Sequence, residues 1–273
     1  MHLGATLRLL RVDAGLSLRD LARRIGVSSA YLSRVENGLD AVPTPERLAA
    51  IARELDVPPL LLMDISHRVS PFVASYLEQE PGAGSLFLDI ARRRLSGTQL
   101  ARLRELLDSE FPVRAATGRE EPAPALAPLL APERMVLRLT CAALDDALDV
   151  AAGRFGPACP RLGAAQVMAE LKRREKDASS AVGSGVMVPH AFVAETPPMA
   201  TLVTLAEPLQ AETPDGSPLR LLIVLIGEER GRMRLMRLAH MARLASRGLA
   251  ERLLDAQHPQ QVIERLAEME ALR

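Results

Sequence analysis

The stretch Ser17-Leu18-Arg19-Asp20-Leu21-Ala22-Arg23-Arg24-Ile25-Gly26-Val27-Ser28-Ser29-Ala30-Tyr31-Leu32-Ser33-Arg34-Val35-Glu36-Asn37 decides the fold of the first part of the chain. Apolar residues recur at three- and four-residue spacing on either side of Gly26, which predicts two short amphipathic helices, 18–25 and 29–37. Ser17 and Ser28 stand where a hydroxyl caps each helix start. Gly26 permits the left-handed backbone that reverses the chain between helices at a steep angle. The second helix then turns Leu32 and Val35 inward and projects Ser29, Ala30, Ser33 and Arg34. Such groups suit a DNA major groove: hydroxyls and amides hold phosphates, and an arginine reaches a guanine edge.

Outward from this pair the pattern stays helical. Residues 5–14, 45–55 and 58–63 complete a five-helix unit, with Thr44 as a cap and Pro45 at a first helical position. Helices are predicted over 71–79, 84–95 and 97–110. Five prolines then fall between Pro112 and Pro132, among alanines and charges, a composition that reads as a semi-stiff linker. Beyond it the pattern becomes mixed. Arg134–Thr140 reads as an edge strand, 143–154 and 163–176 as helices, and Val186–Val188, Met199–Ala206 and Leu219–Ile226 as strands. The last of these is continuously apolar and suits a central position buried on both faces. Helices over 232–246, 247–256 and 259–270 close the chain.

The expected architecture is therefore multi-domain. An all-α domain spans 1–65, a helical connector suited to dimerisation 66–111, and a Pro/Ala-rich linker 112–128. A domain of the α/β or α+β class spans 129–273.

Of the 273 residues, 48% are hydrophobic and 25% charged, which excludes a disordered or fibrous chain. Lys+Arg and Asp+Glu both total 34, so any surface that attracts nucleic acid is local. Cys141 and Cys159 are too few for a disulfide framework and lack zinc-knuckle spacing; no metal or cofactor is expected, and a reducing cytoplasm is. The N-terminal residues hold no signal-like apolar stretch, and the run Leu221–Ile226 is far too short for a bilayer, so no membrane role is expected.

Residues 3–63 resemble the phage-repressor (Cro-like, XRE) helix-turn-helix family. The resemblance implies that Ser29, Ala30 and Arg34 face bases, and that Ser28, Tyr31 and Asn37 touch phosphates. Ser33 joins them on the projecting face. It also implies a buried ion pair between Arg11 and Glu36. The partner is a double-stranded operator, bound by a homodimer that sets two recognition helices one DNA turn apart. Residues 1–60 carry 8 Arg against 7 Asp/Glu, a net charge of +1, so non-specific affinity for DNA is modest. Leucines at 100, 103, 106 and 107 mark a helix in search of a partner.

Of the five histidines (2, 67, 190, 240 and 258), His240 sits within an apolar helical pattern and reads as core. His190 differs. It follows Ser179-Ser180-Ala181-Val182-Gly183-Ser184-Gly185-Val186-Met187-Val188-Pro189, a glycine-punctuated loop and short strand. Pro189 restrains the backbone entering His190, and Gly183 and Gly185, with Ser179 and Ser180, suggest amides cradling an anion. Arg174 adds a guanidinium fit for phosphate oxygens. A neutral imidazole so placed is a phosphoryl acceptor. No P-loop or carboxylate cluster for Mg-ATP is present, so the donor is a phosphoprotein.

The run Arg174-Glu175 with Ser179 to His190 resembles the active-site signature of the fructose/mannitol-type enzyme IIA domains of the phosphotransferase system, a group that includes the nitrogen-regulatory branch. The similarity extends over 129–273, and it implies an α/β fold, a mixed sheet flanked by helices. It implies that His190 accepts phosphate from the carrier HPr with Arg174 in support. The family's second histidine, at the start of the helix after the central strand, is missing; Gly231-Arg232-Met233-Arg234-Leu235 stands there instead, with Arg232 or Arg234 as a substitute cation. The combined reading is a DNA-binding transcriptional regulator that senses phosphotransferase status through His190, with phosphoryl acceptance as its one enzyme-like activity. The alternatives are a phosphocarrier passing phosphate to a IIB partner, and a non-phosphorylated docking module.

Overall fold

A computed structural model describes residues 2–67, 69, 71–111, 125–157, 163–193, 195–227 and 231–271. Cys159 and most of the expected linker lie outside them. The first part is helical: α1 (His2–Asp13), α2 (Leu18–Arg24), α3 (Ser29–Glu36), α4 (Pro45–Glu54) and α5 (Pro59–Ile65). Ser17, Ser28 and Thr44 accept hydrogen bonds from the backbone amides of Asp20, Tyr31 and Arg47, so each predicted cap is made. Gly26 takes the left-handed conformation at φ 70°. Arg11 and Glu36 form a buried, two-pronged ion pair at 2.7 and 2.8 Å, which ties α1 to the end of α3. Gly4 permits that approach. A Cβ there would stand 2.5 Å from the carbonyl oxygen of Val35.

Next come α6 (Pro71–Gln79), α7 (Pro81–Arg93) and α8 (Gly97–Glu110). The second begins three residues before the predicted 84–95, because Pro81 fits the first helical turn. Neither α7 nor α8 buries a residue.

The last part holds a mixed sheet of six strands: β1 (Met135–Leu139), β2 (Ala181–Gly183), β3 (Val186–Met187), β4 (His190–Phe192), β5 (Met199–Leu209) and β6 (Leu219–Gly227). The order is β1-β5-β6-β3-β2, with β4 also paired to β6. β5 runs antiparallel to β6, while β1 lies parallel to β5, and β3 and β4 parallel to β6. The continuous apolar run of β6 follows from its place. Leu221, Ile223 and Leu225 pack to one side of the sheet, and Leu222, Val224 and Ile226 to the other. On the second side lie α9 (Leu144–Gly153) and α10 (Ala164–Asp177). On the first lie α11 (Arg232–Ser246), α12 (Leu249–Leu253) and α13 (Pro259–Ala271).

Two expectations are corrected here. Residues 125–128 are not linker: Leu126 is fully buried, and the amides of Leu126 and Ala127 donate to Glu270, which also holds His240 at 2.8 Å. Of the segment before His190, read as a loop and a short strand, the strand stands as β3, but part of the loop is a strand too, β2. Together they form the hairpin β2–β3, recruited by pairing with β6, a long-range contact that local pattern does not reveal.

The helical part is not separate from the sheet. α1 and α5 pack against α11, and α1 also against β2. One buried apolar cluster runs from Leu7 and Leu62 through Leu238 and Met241 to Leu221.

Candidate functional site

His190 opens β4 and pairs with Leu225 of β6, whose amide donates to the Pro189 carbonyl at 2.9 Å. The ring is buried. Its Nδ1 lies 2.9 Å from the Val188 carbonyl oxygen. A carbonyl only accepts, so Nδ1 carries a proton and donates, which leaves Nε2 as the nitrogen that faces the site.

Two guanidinium groups converge beside Nε2. Arg174 comes from the last turn of α10 and is steadied by a bond from Nη1 to the Ala178 carbonyl at 3.3 Å. Arg234 comes from the first turn of α11. What they enclose is a carboxylate. Asp13, the last residue of α1, places Oδ1 3.0 Å from His190 Nε2 and 3.1 Å from Arg174 Nε, with Oδ2 2.6 Å from Arg234 Nε. Arg234 Nη2 also donates to the Asp13 main-chain oxygen at 2.6 Å. The Asp13 side chain is only 5% exposed. Burial alone would raise its pKa; the hydrogen bond and charge of His190, then Arg234 and Arg174, more than reverse this and pull it down to about 2. The group is an anion site wrapped around an imidazole nitrogen. A cavity of about 90 Å³ opens beside it, bordered by Arg173, Arg174, Phe192 and Gly227.

The glycine cradle expected next to His190 is not there. Ser180 donates its amide and hydroxyl to Glu175, and the Ala181 amide is bonded to the Ser179 hydroxyl. Gly183 and Gly185 make the tight turn of the β2–β3 hairpin at φ 96° and 67°. The Ser184 amide between them donates to Asp215, not toward the imidazole. The anion is gripped by side chains from two helices and a strand, not by backbone amides. Among the described residues no three metal-ligating groups gather.

The helix α3 presents Ala30 and Arg34 to solvent, with Ser29 and Ser33 half-buried. Several expected contact residues already have internal partners. Arg34 Nε donates to Asp40 at 3.0 Å, and Asn37 Nδ2 donates to the Ser33 carbonyl at 2.8 Å, closing the helix end. The Tyr31 ring lies under the guanidinium of Arg47, 5.1 Å away, and Ser28 Oγ is the helix cap.

The model of the phosphoenolpyruvate-dependent sugar phosphotransferase system, EIIA 2, matches residues 129–269, just over half of the chain. The chain belongs to the EIIA 2 family. A helix-turn-helix domain model matches residues 2–62, ahead of the EIIA domain. This part is 42% identical over 55 residues to the HTH-type transcriptional repressor RghR of Bacillus subtilis, which covers 20% of this chain and 41% of that protein. It is 34% identical over 65 residues to the regulator SinR of the same organism, covering 24% of this chain and 59% of that one. The chain thus spans 41 to 60% of the length of the curated regulators it matches. Among solved structures, the nitrogen regulatory protein IIA-Ntr of Neisseria meningitidis aligns with 51% of this chain and 97% of its own at 23% identity, TM-score 0.46. IIA mannitol of Escherichia coli aligns with 50% of this chain and 98% of its own at 20% identity, TM-score 0.40. No helix among the described residues is long and apolar enough to cross a membrane.

Sequence reasoning did not find Asp13. It lies in an ordinary helix end, Arg11-Val12-Asp13-Ala14-Gly15, and its partners stand 161 to 221 residues away. Nor did it find Asp56 and Asp64, which pair across the same junction with Arg232, and with Arg243 and Arg247.

Proposed function

We propose that this protein is a DNA-binding transcriptional regulator whose EIIA domain accepts a phosphoryl group at His190 from an HPr-like carrier. The observation that carries this reading is the convergence of Arg174 and Arg234 on an anion held against Nε2. Phosphoryl transfer demands mainly positioning and positive charge around the transferred oxygens, and this site supplies both. The Nε2 lone pair attacks phosphorus while the nitrogen–phosphorus bond of the donor phosphohistidine breaks, its electron pair returning to the donor ring. Arg174 and Arg234 neutralise the oxygens. Val188 fixes the ring so that the attacking lone pair lies at Nε2.

At the other end of the chain, α3 offers Ser29, Ala30, Ser33 and Arg34 as a base-facing row, with Ser28, Tyr31 and Asn37 near the phosphates. The protein acts as a homodimer on a two-fold operator. The test is phosphoryl transfer from phosphoenolpyruvate through enzyme I and HPr, read as an acid-labile mass increment. The label is expected on the wild type and absent from His190→Ala. Saturable, sequence-selective DNA binding, lost in Arg34→Ala, tests the other half.

A second reading has one observation in its favour: the site already holds an internal carboxylate. In that case the EIIA fold is a docking module without chemistry. It requires that no label appears and that His190→Ala leaves regulation unchanged.

A further inference from the structure

We infer that Asp13 is a built-in occupant of the phosphoryl site, so that a phosphoryl group on His190 and the docked helix-turn-helix domain exclude one another. The inference rests on the reading of His190 as a phosphoryl acceptor. It adds the device by which that event reaches the other domain.

The argument begins with partners. The groups suited to hold a phosphoryl group, Arg174 Nε, Arg234 Nε and the His190 Nε2 position itself, are all engaged by one carboxylate. An ionised carboxylate only accepts hydrogen bonds. With Nδ1 donating to Val188, a ring that also donates from Nε2 to Asp13 carries two protons and has no lone pair with which to attack. The docked state is therefore blocked twice, by occupancy and by protonation. For transfer, Asp13 must withdraw and the Nε2 proton must pass to solvent. Afterwards the phosphoryl group carries up to two negative charges in the volume the carboxylate held. Asp13 cannot return against it.

Asp13 does not act alone. The junction sets acidic residues of the helix-turn-helix domain against arginines of the EIIA domain throughout. Asp56 faces Arg232 at 3.2 Å, and Asp64 faces Arg243 at 3.5 Å and Arg247 at 2.9 Å. A phosphoryl group neutralises the basic side of this junction at its most buried point. Arg234 grips the Asp13 main chain as well as its carboxylate, so losing that grip loosens the end of α1 and not merely one side chain. The same junction reaches the DNA-binding helix. Asn37 and Gly38, just past α3, share a cavity of about 220 Å³ with Ser179, Glu212 and Pro214 of the EIIA domain.

The test uses the full chain with phosphorylated HPr as probe, comparing wild type, Asp13→Ala, Asp13→Asn and His190→Ala. Labelling rate is followed by mass, and docking by hydrogen exchange across α1 and the start of α11. Asp13→Ala is expected to take phosphate at least tenfold faster than wild type and to show raised exchange in both segments before any phosphate is added. Wild type is expected to reach that raised exchange only when phosphorylated, and phosphorylated HPr is expected to leave His190→Ala at its own starting level. Asp13→Asn keeps the shape without the charge, so it reports on the lock even if Asp13→Ala folds poorly. Equal labelling rates, or unchanged protection in phosphorylated wild type, overturn the lock and leave His190 as an acceptor. No label on any variant, with the donor active on another EIIA protein, overturns both.

Discussion

At the scale of single residues, the decisive groups are buried charges, and each carries a measurable consequence. Asp13 ionises more easily in the folded protein, at about 2, than at its ordinary 3.8. A carboxylate with a depressed folded-state pKa contributes stability that is fully present above the ordinary value. That contribution drains away as pH falls through the folded one. The shift corresponds to about 2 kcal/mol. The wild type is therefore expected to lose that much stability relative to Asp13→Asn between roughly pH 5 and pH 1, read as the difference between their urea midpoints across the range. Arg11 and Glu36 present the complementary case. Both are nearly excluded from solvent, so Arg11→Ala leaves a buried, unpaired carboxylate and is expected to cost about 3–5 kcal/mol. Thermal unfolding of the helix-turn-helix domain checks it. Glu270 shows the same logic without exposure to any ligand. Burial opposes its ionisation, but His240 and the amides of Leu126 and Ala127 hold its pKa below the usual value. That makes His240 a structural histidine, as its apolar helical setting suggests.

Among the elements, α3 is the one whose function depends on what it leaves exposed. Its inward residues Leu32 and Val35 are buried, while Ala30 and Arg34 face solvent. Arg34 is paired to Asp40 in the free protein, so binding a guanine requires exchanging one partner for another. Arg34→Ala is expected to weaken operator binding by about 1–3 kcal/mol while leaving non-specific binding nearly unchanged, measured by fluorescence anisotropy at fixed salt. The helices and long strands were legible because their signals are local: caps at Ser17, Ser28 and Thr44, a turn glycine at Gly26, an unbroken apolar run at Leu221–Ile226. The short strands β2 and β4 were not, because three residues carry no periodicity and their existence is set by pairing within a sheet built from distant parts of the chain. The site divides in the same way. His190 and Arg174 stand close in sequence and carry a recognisable pattern. The anion cradle was misplaced because glycines that allow close approach also serve a hairpin turn, and only Asp215 and Pro218 reveal which use is made. Asp13 carries no local sign at all.

At the scale of the whole molecule, α7 and α8 present the remaining physical problem. Isolated helices of 13 and 14 residues are marginal in water, and most helical stability comes from burying an apolar face. Here neither buries a residue, and Leu86, Phe87, Leu100, Leu103, Leu106 and Leu107 stand exposed. Capping supplies part of the answer: Ser96 and Gln99 form a reciprocal capping box at the start of α8. The exposed leucines supply the rest if a second copy covers them, which is also what a two-fold operator demands of its reader. Placing charges on this stripe sets the dimer against the fold in a way that can be separated. Leu103→Glu with Leu106→Glu removes no core contact, so the EIIA domain is expected to keep its unfolding temperature and its phosphoryl acceptance. Sedimentation equilibrium is expected to shift from dimer to monomer, and operator affinity to fall at least a hundredfold because two recognition helices no longer bind as one unit. A variant that remains dimeric with full affinity would place the self-association elsewhere in the chain.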